Sequence, residues 1–126
     1  KVYSIDTGLT KSVAFSFSED RGKFLENTVF LKLRRLYGQD IYYFKTETGS
    51  EVNFYLSKQK MLIQVSQSLA GPTTRARETQ ALFDAMKEIE GSRGLIITED
   101  EKDSLSLNGK EIPVVTVYEW LLNSSD

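Results

Sequence analysis

Residues 41–66 read IYYFKTETGSEVNFYLSKQKMLIQVS, and the reading of this stretch decides the fold. It divides into three short strands, Ile41–Lys45, Glu51–Leu56 and Met61–Ser66. Thr48-Gly49 supplies a hairpin turn between the first two, and Ser57–Lys60 supplies the next turn. The two-residue period of a strand puts Val52, Phe54 and Leu56 on one face and Glu51, Asn53 and Tyr55 on the other. In the third strand, Leu62, Gln64 and Ser66 oppose Met61, Ile63 and Val65. The inner strands therefore carry Glu51, Asn53, Gln64 and Ser66 where a site can form.

Helices flank these strands on both sides in sequence. Residues 22–37 (GKFLENTVFLKLRRLY) place Leu25, Val29, Leu33 and Leu36 on one stripe, widened by Phe30 and Tyr37. Gly38 follows where a C-terminal cap glycine belongs. Glu26 falls inside the apolar arc of this helix. It either lies near solvent at a helix start that favours acids or faces the site. Residues 74–90 (TRARETQALFDAMKEIE) form a second helix, with Thr73 or Thr74 as the expected cap and Leu82, Phe83, Met86 and Ile89 as the core stripe. Gly94–Thr98 reads as a buried strand. Ser104–Leu107 and Lys110–Ile112, joined by Asn108-Gly109, read as a hairpin. Pro113–Val117 reads as a last strand and Tyr118–Asn123 as a short helix. Ahead of the first helix, Val2–Ile5 is strand-like, Asp6-Thr7-Gly8 is a turn, Val13–Phe17 is a strand or extended arm, and 18–22 is a polar loop. The core order α-β-β-β-α-β predicts an α/β domain with a mixed sheet covered by helices on both faces.

Length and composition fit one packed domain of 126 residues, with 40% hydrophobic and 27% charged side chains. There is no cysteine and no histidine, which removes disulfides, thiolate zinc sites and imidazole catalysis. Any metal must be a hard cation on oxygen ligands. The net charge of −2 gives no global attraction to nucleic acid. Residues 1–90 hold 13 basic and 11 acidic side chains and residues 91–126 hold 3 and 7, so a DNA-facing surface belongs in the first part. No run of 18 apolar residues and no signal peptide is visible, which points to a cytoplasmic location. The chain opens at Lys1 directly into VYSI and reads as a fragment of a longer protein.

The α-β-β-β-α-β order, a Glu in the first helix, an E-V-D-F-like strand and an I-E-V-K-like strand together resemble the PD-(D/E)XK restriction-endonuclease-like superfamily. More narrowly, the chain is similar to the nuclease-like C-terminal domain of prokaryotic AAA+-type ATPases. The matching pieces are KVYSIDTGL at 1–9, GKFLENTVFLKLRR at 22–35, IYYFKT at 41–46, GSEVNF at 49–54, LIQVSQSL at 62–69, TRARETQAL at 74–82, GLIITED at 94–100 and VYEWLL at 117–122. The resemblance implies ATPase and winged-helix regions in the parent chain as partners. No G-x-x-x-x-G-K-S/T motif occurs here, so these residues offer no ATP site of their own.

The superfamily's reaction is phosphodiester hydrolysis at Mg2+ held by acids on strands two and three, with a strand-three lysine and often a first-helix Glu. The resemblance carries these positions onto Asn53, Gln64, Ser66 and Glu26 respectively. Three of the four depart from the catalytic pattern. Asn and Gln keep shape and an acceptor but lose the negative charge, and Ser66 carries no positive charge. The expectation is a degenerate, non-catalytic domain used for protein or nucleic-acid contact. The alternative is a divergent Mg2+-dependent nuclease using Glu26 and Glu51 as metal ligands, with Lys45 as a migrated cation. Candidate nucleic-acid contacts are Lys45, Arg75 and Arg77. Arg75 and Arg77 alternatively join a network with Glu78, Glu51 or Glu26. Lys32, Arg34 and Arg35 either suit the helix C-terminus or touch phosphate. Tyr42-Tyr43-Phe44 reads as core plus one exposed ring rather than a base-stacking platform.

Overall fold

The computed structural model describes residues 17–107 and 109–124. The expected strand at 2–5, the turn at 6–8 and all of the 13–17 arm except Phe17 lie outside them, as does Asn108. The elements run α1 (Phe17–Tyr37), β1 (Tyr42–Lys45), β2 (Glu51–Leu56), β3 (Met61–Val65), α2 (Pro72–Glu88), β4 (Arg93–Thr98), β5 (Asp103–Leu107), β6 (Lys110–Thr116) and α3 (Val117–Asn123). The protein is a mixed α/β domain with three helices and one six-stranded sheet of order β1-β2-β3-β4-β6-β5. β1, β2 and β3 form an antiparallel meander. α2 then crosses over to deliver β4 parallel to β3. β6 runs parallel to β4, and β5 closes the far edge antiparallel to β6.

Two apolar cores sandwich the sheet. On one face α1 contributes Val29, Phe30 and Leu33 against Phe54, Leu56, Ile63 and Ile97, and α3 adds Val117 and Trp120. On the other, α2 contributes Leu82, Phe83, Ala85 and Met86 against Val52, Leu62, Ile96, Ile112 and Val114. Gly94 lets α2 lie close to β4, because a Cβ there would meet Met86 Sδ at 2.9 Å and Leu82 Cγ at 3.1 Å.

The structure departs from the sequence reading in four places. α1 covers 18–22, so that stretch is helix and not loop. α2 starts at Pro72 on an N-cap of Gly71, not on a threonine. Proline is pre-shaped for the first helical position, where its missing N–H costs nothing. The expected strand at 113–117 is the continuation of β6 as far as Thr116, and Val117 opens α3. Pro113 is accommodated because at that level β6 is registered only with Ser104 of β5, and the pairing with β4 begins at Val114.

The fourth departure concerns β2 and matters most for the site. Between the pairs Tyr42↔Tyr55 and Phe44↔Val52, β2 holds one residue more than β1. This bulge reverses the alternation midway. Val52 and Tyr55 belong to the α2 core, while Phe54 and Leu56 belong to the α1 core. The expected single faces, Val52-Phe54-Leu56 and Glu51-Asn53-Tyr55, are therefore not formed. Asn53 sits at the reversal.

Candidate functional site

The backbone pairing of β2 with β3 spans only Phe54↔Ile63, Tyr55↔Leu62 and Leu56↔Met61. β3 stays paired with β4 as far as Val65↔Ile97, and Ser66 N–H continues the contact to Ile97 O at 3.0 Å. The two strands therefore part beyond Phe54, leaving a gap between Glu51–Asn53 and Gln64–Val65. A cleft of about 530 Å3 opens here. It is lined by Glu51, Asn53, Gln64 and Val65, by Tyr43 and the Thr48–Ser50 turn, and by Arg77 and Glu78 of α2.

Two side-chain amides bridge the gap. Gln64 is 2% exposed. Its Oε1 accepts from Asn53 N–H at 3.0 Å and its Nε2 donates to Glu51 O at 3.1 Å. Asn53 Oδ1 accepts from Val65 N–H at 2.8 Å, and its Nδ2 donates to Glu26 Oε2 at 2.9 Å. The partners dictate both amide orientations. An N–H can only donate and a carbonyl oxygen can only accept. Three backbone groups that a continuous ladder would otherwise have to satisfy, Asn53 N–H, Glu51 O and Val65 N–H, are met by these two residues, which also take up one Glu26 carboxylate oxygen.

The other expected site residues take varied places. Glu26 of α1 reaches Asn53, so it belongs to the network and not to the solvent side of the helix. Glu51 lines the cleft and receives a hydrogen bond from Tyr43. Desolvation first and Glu51 second push the Tyr43 phenol up to about 12. Ser66 is buried, and its hydroxyl turns to Ser68 O at 3.1 Å within its own loop. Lys45 is exposed and registered opposite Glu51. Arg75 leaves the cleft and pairs with Asp103 of β5 at 2.7 Å. Asp103 is held below its usual carboxylate range by that contact first and by Ser104 N–H second. Arg77 stays on the cleft with Glu78 3.9 Å away. Burial lifts the Glu78 carboxyl above its ordinary range, and Arg77 opposes the shift. Of the tyrosine pair, Tyr42 is the exposed ring. Phe44 packs on the α2 core. Tyr43, Thr48 and Ser50 were not anticipated as cleft residues. The signal for them was the Thr48-Gly49 turn, which brings β1 alongside the start of β2.

Magnesium, the ion implied by the resemblance, does not fit this donor set. A divalent cation of this kind takes carboxylate and water oxygens. Here the amide oxygens of Asn53 and Gln64 face backbone N–H groups, and the amide nitrogens carry donors, not lone pairs. Among the described residues no three acidic side chains gather at a common point.

The fold and cleft together define a mixed α/β domain with a polar opening at the divergence of two central strands. No protein-family model and no solved structure matches the chain. Among curated proteins it is similar to Uncharacterized protein MJ1544 of Methanocaldococcus jannaschii, with 33% identity over 132 residues. That match covers 97% of this chain and 29% of the relative, so the chain spans less than a third of the relative's length.

Proposed function

We propose that this domain is a PD-(D/E)XK restriction-endonuclease-like fold that has lost its metal-dependent chemistry and serves a longer, AAA+-type ATPase chain as a contact module. One observation carries the reading. The positions that the resemblance assigns to the helix acid, the strand-two acid and the strand-three acid meet at one strand divergence, as Glu26, Asn53 and Gln64, and two of the three are amides. The relative's greater length leaves room for an ATPase region. Protein contact is favoured over nucleic acid by the surroundings of the candidate cations. Arg75 is committed to Asp103, Arg77 lies beside Glu78, and Lys45 stands across from Glu51. Each has an acid nearby that offsets its pull on phosphate.

Titration with Mn2+ by calorimetry, alongside a cleavage assay on linear DNA in Mg2+ and Mn2+, tests this directly. The expected results are no saturable heat up to millimolar metal and no cleavage. Metal binding that disappears in Glu26→Gln and Glu51→Gln would replace this reading with a divergent nuclease built on those two acids. DNA binding that strengthens steeply at low salt would move the partner from protein to nucleic acid.

A further inference from the structure

In the resemblance, a cation would hold the helix acid and the strand acids together. In this chain a hydrogen-bond donor stands between the same elements. We propose that the Asn53 amide acts as a covalently tethered surrogate for that cation, joining α1, β2 and β3 without metal. The inference rests on the converted-nuclease reading above. It adds that the conversion produced a working joint instead of an abandoned site.

The hydrogen-bond geometry carries the argument. Asn53 Nδ2 stands 2.9 Å from Glu26 Oε2, so the positive end of an amide dipole faces the carboxylate. The same side chain's Oδ1 takes Val65 N–H at 2.8 Å. A carboxylate at position 53 would still accept from Val65. It would also turn a second negative oxygen toward Glu26, and one of the two acids would then have to bind a proton, bind a cation or move away. Gln64 repeats the logic across the gap. Its Oε1 accepts from Asn53 N–H, but its Nε2 donates to Glu51 O at 3.1 Å. A carboxylate there would oppose lone pairs to lone pairs at a side chain only 2% exposed. Both positions need a donor and an acceptor on one short planar group, and an amide supplies that.

Thermal unfolding of the full chain in EDTA and in millimolar MnCl2 tests the surrogate. The unsubstituted protein is expected to keep its Tm within about 1 °C between the two conditions. Asn53→Asp is expected to lower Tm in EDTA by about 5–10 °C and to regain at least half of that loss in manganese. Glu26→Gln combined with Asn53→Asp exchanges donor and acceptor, and it is expected to regain the loss in EDTA alone. An Asn53→Asp protein as stable as the parent in EDTA overturns the inference. So does a loss that neither manganese nor the second substitution repairs. Should Asn53→Asp alone not fold, the double variant decides, since its folding in EDTA supports the exchange and its failure refutes it. These outcomes leave the functional reading standing. Saturable manganese binding by the unsubstituted protein would remove that reading instead.

Discussion

The two ends of the β2–β3 pair are built on different principles. At the closed end, Tyr55↔Leu62 and Leu56↔Met61 are registered by backbone pairing, and Phe54 seals the adjoining core by stacking on Phe30 at 6.3 Å between ring centroids. At the open end the backbones part and Asn53 and Gln64 span the gap. Backbone hydrogen bonds are indifferent to which side chains stand on the strand. Side-chain bridges are not. The closed end should therefore tolerate polar-to-polar change and suffer from lost volume, while the open end should tolerate little polar change even when volume is preserved.

The largest effect is expected at the closed end. Phe54 is fully buried, and Phe54→Ala removes its ring from between α1 and the sheet. Chemical denaturation should show a loss of about 3–5 kcal/mol. A loss under about 1 kcal/mol would mean that the α1 core re-collapses around the void, and the closed end would not be the rigid partner in this comparison.

Gln64→Leu comes next and probes the open end at nearly constant volume. Burial is kept, but Asn53 N–H and Glu51 O lose their partners. Leaving these two part-buried backbone groups without their partners should cost about 2–3 kcal/mol by denaturation. Hydrogen exchange at the Asn53 amide should speed up while exchange at Tyr55 stays slow. Equal acceleration at both would show that the two ends open as one unit, and the contrast between them would fail.

Much of the element order was legible in the sequence, and the reasons for the rest are specific. The α-β-β-β-α-β order, the Thr48-Gly49 hairpin and the buried Gly94–Thr98 run follow from periodicity and turn chemistry, which are local properties. Glu26 stood out because a polar group in an apolar pattern needs a partner, and Asn53 and Gln64 because they fall on strand positions that the resemblance assigns to acids. The bulge that sends Val52 and Phe54 to opposite cores was not legible. It depends on one extra residue relative to β1, a pairing property that period-two counting along β2 cannot register. Ser66 shared a strand face with Gln64 on paper, yet its hydroxyl is claimed by Ser68 O where the chain leaves the strand. Arg75 carries no sequence mark of Asp103, since 28 residues separate them and only the β5 edge brings them together.

Gly94→Ala sharpens the description of the closed end from the opposite side. Gly94 is registered with Leu62, and an added methyl would press on Met86 and Leu82 of α2. Those are side-chain atoms that can shift by a few tenths of an ångström. Overpacking here should cost about 1–3 kcal/mol, less than the void at Phe54. A neutral or stabilising result would show slack between α2 and β4, and the tight packing assigned to that end would have to be given up.

The smallest expected effect lies on the wall of the open end and is one of pH. Burial raises the Glu78 carboxyl above its unfolded value of 4.5, with Arg77 only partly opposing it. An acid whose folded affinity for protons is raised favours folding most when it is protonated. As pH climbs from the unfolded value through the raised folded value, the folded state holds the proton that the unfolded state has released. Stability falls across that window and levels off above it. Glu78→Gln should remove this slope, leaving stability less dependent on pH above about 4.5 and slightly greater at neutrality, by less than about 1 kcal/mol given partial solvent access. A parent protein that instead gains stability across the same window, with the gain lost in Glu78→Gln, would mean that Arg77 closes onto Glu78 as a true ion pair. The open end would then be fastened by charge as well as by the two amides.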